Sequence, residues 1–162
     1  MLILKGLKDL GLSSYSFDNL QYSAFQRPYF PGSIDFNISH SGNYVIFAIS
    51  KTNRIGIDIE EIKEIPLLDF DSLFSKEELQ RIYKVKNDYI PFYTLWTQKE
   101  AYLKAIGMGL NVPLNEVLVN NNKISHNHEE WFLHELKLDA DYICHLLTDL
   151  QNPEILIEKV DF

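Results

Sequence analysis

The chain has 162 residues, a formal net charge of −8 and an apolar fraction of 46%, enough for one folded domain or two small lobes sharing a core. The acidic balance argues against binding nucleic acid, which needs a basic face. No apolar run approaches the roughly 20 residues that cross a bilayer, so no membrane contact is expected either.

The opening residues, Met1-Leu-Ile-Leu-Lys-Gly-Leu, do not read as a secretory signal. Cys144 is the single cysteine and cannot form an internal disulfide, so a cytoplasmic location is expected. Residues 2–10 predict a short helix stopped by Gly11, and residues 12–33 read as irregular, with a turn at Arg27-Pro28-Tyr29-Phe30-Pro31-Gly32. Three strands are expected next. Ile34–His40 places Ile34, Phe36 and Ile38 on one face with His40 at its end. Tyr44–Ser50 is almost wholly apolar, and Ile55–Glu60 alternates. The short links between them predict antiparallel pairing of successive strands.

Residues 66–86 look helical and contain Ser75-Lys76-Glu77-Glu78, which matches a capping box. A longer helix is predicted from Pro91, suited to a first turn, to Ile106, with Gly107 as its stop. Trp131–Leu138 and Tyr142–Leu147 read as strands joined by Asp139-Ala140-Asp141. The pattern is α+β, an antiparallel sheet packed against a long helix.

In Ile55-Gly56-Ile57-Asp58-Ile59-Glu60 the isoleucines point to one face, and Gly56, Asp58 and Glu60 share the other. Two carboxylates within roughly 7 Å resist ionising together unless a cation or donor relieves them, and Gly56 would leave space beside them. A hard cation such as magnesium accepts such ligands; a solvated acidic edge is the competing reading. On the long helix, Glu100 and Lys104 are i, i+4 neighbours at the border of the stripe Phe92, Leu95, Trp96, Leu103 and Ile106. They form either an ordinary surface ion pair or, facing the sheet, a metal ligand and a phosphate contact. Lys99 falls within the stripe, so this helix is expected to line a polar pocket.

Three runs carry a resemblance: Phe36-Asn37-Ile38-Ser39-His40-Ser41-Gly42, Gly56-Ile57-Asp58-Ile59-Glu60, and Phe92-Tyr93-Thr94-Leu95-Trp96-Thr97-Gln98-Lys99-Glu100-Ala101-Tyr102-Leu103-Lys104-Ala105. In order and spacing they resemble the signatures of the surfactin-synthetase-activating (Sfp-type) phosphopantetheinyl transferases. The resemblance implies magnesium-dependent transfer of the 4'-phosphopantetheine arm of coenzyme A to a serine of an apo acyl, peptidyl or polyketide carrier protein, with release of 3',5'-ADP. It implies Asp58, Glu60 and Glu100 as metal ligands, Glu100 also as base, and Lys104 on the pyrophosphate. Ser39, His40, Arg27 and Lys99 would meet the nucleotide. It further implies a partial N-terminal lobe, residues 1–50, and a C-terminal lobe, residues 51–162, holding the metal site. The family carries a longer N-terminal segment, and a homo-oligomer that supplies the missing surface from a second subunit is therefore expected.

Two other functions fit parts of the pattern, a non-catalytic coenzyme A- or carrier-binding module and a metal-dependent nuclease, the latter disfavoured by charge. Glu78 has a capping task and stays outside the catalytic set. His126 and His128 read as a solvated Asn-rich turn, His134 and His145 as sheet contacts, Cys144 as a small buried residue, and Tyr29, Phe30, Tyr44 and Phe47 as core.

Overall fold

The computed structural model describes residues 2–160, and its architecture follows from where the central strands find their hydrogen bonds. Helix α1 (Leu2–Asp9) ends before Gly11, whose φ of 70° is the left-handed stop expected there. Within residues 12–33, the short strands β1 (Gln21–Tyr22) and β2 (Pro28–Tyr29) form an antiparallel pair not anticipated from sequence. Strands β3 (Asp35–Ser41) and β4 (Tyr44–Ser50) then form a hairpin in full register, from Asp35 opposite Ser50 to Ser41 opposite Tyr44. Its inner cluster joins Leu7 of α1 to Phe30, Ile34 and Phe36.

Strand β5 (Ile55–Glu61) corrects the expected topology. It does not pair with β4; one of its edges takes the main chain of a distant strand, and the other faces β3. Across that second edge the main chains form no ladder, and side chains replace one. Asp35 Oδ2 accepts from the N–H of Ile55 at 2.8 Å, Asn37 Oδ1 from Ile57 at 3.1 Å, Ser39 Oγ from Ile59 at 3.3 Å and Ser41 Oγ from Glu61 at 3.0 Å. Four alternate β3 residues thus satisfy four donors that would be costly to bury unpaired.

The segment 66–86 is not one helix. A 3₁₀ turn at Leu67–Leu73 gives way to extended Phe74, and α2 (Lys76–Ile82) starts at Ser75. The capping box is present: Ser75 Oγ accepts from the N–H of Glu78, and Glu78 accepts from the N–H of Ser75. A cap with extended backbone cannot lie inside a continuous helix, so the box divides the segment. Helix α3 (Ile90–Ile106) runs to Gly107 at φ 69°, as expected.

Strands β6 (Val119–Asn120), β7 (Lys123–His126), β8 (Glu129–Glu135) and β9 (Tyr142–Thr148) complete an antiparallel sheet in the order β5-β9-β8-β7-β6. The hairpin of β8 and β9 was legible, whereas β6 and β7 were not. Two-residue turns form them, Asn121-Asn122 and Asn127-His128, all four at positive φ, as hairpin turns that match strand twist require.

Helix α3 lies over β5 and β9, with Leu95, Tyr102 and Leu103 in one core alongside Trp131 and Leu147. Ile55, Ile57 and Ile59 with Cys144 and Leu146 form a second core on the opposite sheet face, against Ile46, Ala48 and Ile155. The fold is α+β, with Asp58 and Glu60 on the helix side of β5.

Candidate active site

Gly56 is the reason α3 sits so close to the carboxylates. A side chain there would strike the carbonyl oxygen of Ala101 and stand 2.7 Å from the Ala105 nitrogen. The expectation that Gly56 leaves an open face is therefore corrected: helix backbone fills the space, and the glycine permits that approach.

Two residues on, Asp58 is 3% exposed and points into the seam between β3, β5 and α3. Its Oδ1 accepts from Ser39 Oγ at 2.8 Å and from Lys104 Nζ at 2.6 Å, while its buried Oδ2 has no hydrogen-bond partner. Lys104 also donates to Ser39 Oγ at 2.8 Å. Burial raises the proton affinity of Asp58, and Lys104 and Ser39 oppose that rise. Glu60 accepts from Ser41 Oγ at 2.8 Å; burial pushes its proton affinity up, the Ser41 bond works against this, and the Asp58 charge adds to it. Glu100, half-buried on α3, is raised by burial first and then by the charge of Asp58, with Lys104 opposing and Glu60 adding. The three carboxylates and Lys104 thus share one electrostatic neighbourhood.

Their chemistry fits a hard cation: all donors are oxygens, one buried oxygen of Asp58 is unpartnered, and each carboxylate resists ionising where it stands. As placed, no three acidic, histidine or cysteine side chains among the described residues gather into a group that could hold a metal ion. Lys104 holds the Oδ1 of Asp58 and Ser41 holds Glu60.

A cleft of about 260 Å³ opens beside Glu100 and Lys104, walled by Gln26, Arg27, Pro28 and Ile38. A larger recess of about 560 Å³ lies beyond, reaching Tyr29, Asp35, Arg54 and Met108, and Arg27 lines both. The Arg27 Nη2 donates to Asp35 Oδ1 at 2.7 Å and to the Ile55 carbonyl at 3.2 Å, so this residue first ties β3 to β5; its Nε is buried without a hydrogen-bond partner. His40 is exposed on the same face of β3 as Ile38, past the residues that line the cleft.

One predicted nucleotide contact, Lys99, is corrected by its placement, and a second, Ser39, is already engaged within the seam. Lys99 does not line a polar pocket: it is fully buried, donating to Glu78 Oε2 and to the Leu114 carbonyl, each at 2.7 Å, over the Phe74 ring. A helix covered on both sides lets a lysine in its apolar stripe find a buried partner instead of a cleft. Ser39 is 4% exposed, and its hydroxyl already donates to Asp58 and accepts from Lys104 and the Ile59 N–H, which exhausts its capacity.

His126 is also corrected, since it sits in β7 and meets the Tyr102 hydroxyl at 2.6 Å; His128 is in the exposed turn as expected. Cys144 is buried, its thiol pushed up to about 12 by desolvation. Sequence reasoning missed Ser41, legible only through its alternation with Ser39, Asn37 and Asp35. It read His145 as a sheet contact; the residue lies in β9 directly across from Asp58, but its ring meets Thr97 and Gln98 of α3.

Residues 54–152 match the 4'-phosphopantetheinyl transferase superfamily. The chain belongs to this family. Among curated relatives it is similar to the 4'-phosphopantetheinyl transferase gsp of Aneurinibacillus migulanus, at 40% identity over 61% of this chain and 42% of that protein. It is similar to ffp of Bacillus subtilis at 34% identity, over 76% of this chain and 61% of the relative. Sfp of Bacillus subtilis strain 168 is 40% identical over 68% of this chain and 49% of its own length. The chain thus spans about half the length of the curated relatives it matches. No helix among its described residues is long and apolar enough to cross a membrane.

Proposed function

We propose that this family member transfers the 4'-phosphopantetheine arm of coenzyme A to a serine hydroxyl of an apo carrier protein. The observation that carries the reading is Lys104 poised between Ser39 and buried Asp58, with Glu100 beside them at the mouth of a cleft. The serine oxygen forms a bond to the β-phosphorus, the bond from that phosphorus to the bridging oxygen breaks, and 3',5'-ADP leaves with the electron pair. Glu100 takes the serine proton. Burial raises its proton affinity, the direction that strengthens a carboxylate as a base. Lys104 supplies positive charge where the phosphoryl oxygens gain negative charge. Asp58, Glu60 and Glu100 would hold magnesium, whose chemistry is to neutralise the diphosphate. Arg27 and His40 would meet the nucleotide end, and a reducing cytoplasm is the compartment that suits the single buried cysteine.

Intact-mass measurement tests this. Incubation with coenzyme A, magnesium and an apo carrier should raise the carrier mass by one phosphopantetheine arm, and Glu100→Gln should abolish the gain. No gain with several carriers, where coenzyme A binding is demonstrated, would reject transfer. That outcome would favour a coenzyme A- or carrier-binding module instead, a second reading supported by the engagement of Asp58 with Lys104.

A further inference from the structure

A buried histidine stands opposite the candidate metal ligand and outside the chemistry described above. His145 on β9 is the direct cross-strand partner of Asp58, so both side chains point to the face covered by α3. It is 3% exposed. Its Nδ1 lies 2.8 Å from Thr97 Oγ1 and its Nε2 lies 3.3 Å from Gln98 Nε2. Thr97 is itself fully buried, and its hydroxyl donates to the Tyr93 carbonyl at 2.8 Å. With that proton committed, Thr97 Oγ1 accepts from Nδ1–H, and the unprotonated Nε2 accepts from the Gln98 amide. The ring is thus a neutral imidazole with both nitrogens satisfied by one helical turn. Desolvation, which drives its pKa down to about 4, agrees with that assignment.

This node sits at the start of a three-point attachment. Thr97 and Gln98 are held by His145, Ala101 rests on Gly56, and Lys104 reaches Asp58 at 2.6 Å. Consecutive points are three or four residues apart, hence on one face of α3. Apolar contact is non-directional and would tolerate small rotations or slides of the helix. Directed hydrogen bonds do not, and a satisfied buried network selects one arrangement. Glu100 lies three residues after Thr97 and Lys104 one turn further on, so a rotation at Thr97 moves both.

We propose that His145 is a positioning residue, fixing through Thr97 and Gln98 the rotation and register of α3 from which Lys104 reaches Asp58 and Glu100 lines the cleft beside it. The inference rests on the transferase reading and adds to it a residue that touches neither substrate nor metal. Steady-state transfer to an apo carrier, with the full chain, tests it. His145→Phe and Gln98→Met should each lower kcat about 10²-fold, the scale of a small misplacement of reacting groups. KM for coenzyme A should stay within about threefold, because the lost interaction acts in the transition state. His145→Gln, whose amide can donate to Thr97 and accept from Gln98, should recover most of kcat. A kcat near wild type in Gln98→Met, or failure of His145→Gln as complete as that of His145→Phe, would overturn the proposal. If His145→Phe does not fold, Gln98→Met decides.

A wild-type chain without transfer activity would sink the transferase reading, not this inference. The inference then stands on denaturation. The coupling between Asp58→Asn and Lys104→Met, measured by a double-mutant cycle, should vanish in the Gln98→Met background, and an undiminished coupling would overturn it.

Discussion

Helix α3 carries two lysines five residues apart, each bonded to a carboxylate of another element, and they differ in what surrounds the pair. Lys99 and Glu78 are sealed, with side chains 1% and 3% exposed, and the same ammonium group also holds the Leu114 carbonyl. The Lys104 side chain is 28% exposed over an Asp58 side chain that is 4% exposed, at the edge of a cleft. The first pair ties α2 and the Leu114 turn to α3. The second keeps a partly exposed lysine over a carboxylate with one unpartnered oxygen. A buried ion pair is structural where nothing can reach it and becomes chemistry where one side opens.

The widest contrast should come from truncating each lysine in turn. Lys99→Met leaves Glu78 charged and buried and should cost about 3–5 kcal/mol of unfolding free energy in urea titration. Lys104→Met should cost visibly less stability, but lower phosphopantetheine transfer about 10²–10³-fold, as loss of one transition-state donor does. Equal stability losses for the two would break the comparison.

Acid titration of stability sharpens it next. The unfolded chain protonates His145 near 6.5, whereas the folded chain resists until about 4. Its contribution is therefore intact above pH 6.5 and lost as pH falls toward 4, on the order of 3 kcal/mol in total. Asp58, Glu60 and Glu100, whose proton affinities are raised, act in the opposite sense: their contribution is full below their ordinary values and lost as pH rises through the raised ones. Thermal melts from pH 7 to pH 4 should accordingly fall less for His145→Phe and more steeply for Glu100→Gln than for wild type.

Smaller effects belong to the seam. Asn37→Ala strands the buried N–H of Ile57 and should cost about 1–3 kcal/mol in chemical denaturation. Glu100→Gln removes a half-buried charge facing Asp58 and should raise the metal-free thermal midpoint at pH 7 by about 2–4 °C, the response of a chain this size to about 1 kcal/mol. A fall in that midpoint would show that Glu100 is not held against its neighbours.

The long helix and its glycine stop, the Ser75–Glu78 box, the β3–β4 hairpin and the two faces of β5 were legible because each depends on spacing within a few residues. The same locality left β6 and β7 unread, since their turns are set by positive φ at asparagine and histidine, not by glycine. The pairing of β5 was misjudged because proximity in sequence favours β4, whereas the available edge belonged to β9 and to the side chains of β3.

At the candidate site, local pattern put Asp58 and Glu60 on one face and Glu100 with Lys104 on one helical border, and motif order tied them to a family. Pattern within one element says which side chains share a face, and no more. Which lysine would be entombed and which would meet the cleft, why Gly56 admits a helix, and why His145 lies beside Asp58 depend on how α3 settles on the sheet. Those outcomes come from contacts between residues tens of positions apart, decided by burial and hydrogen-bond satisfaction over the whole fold.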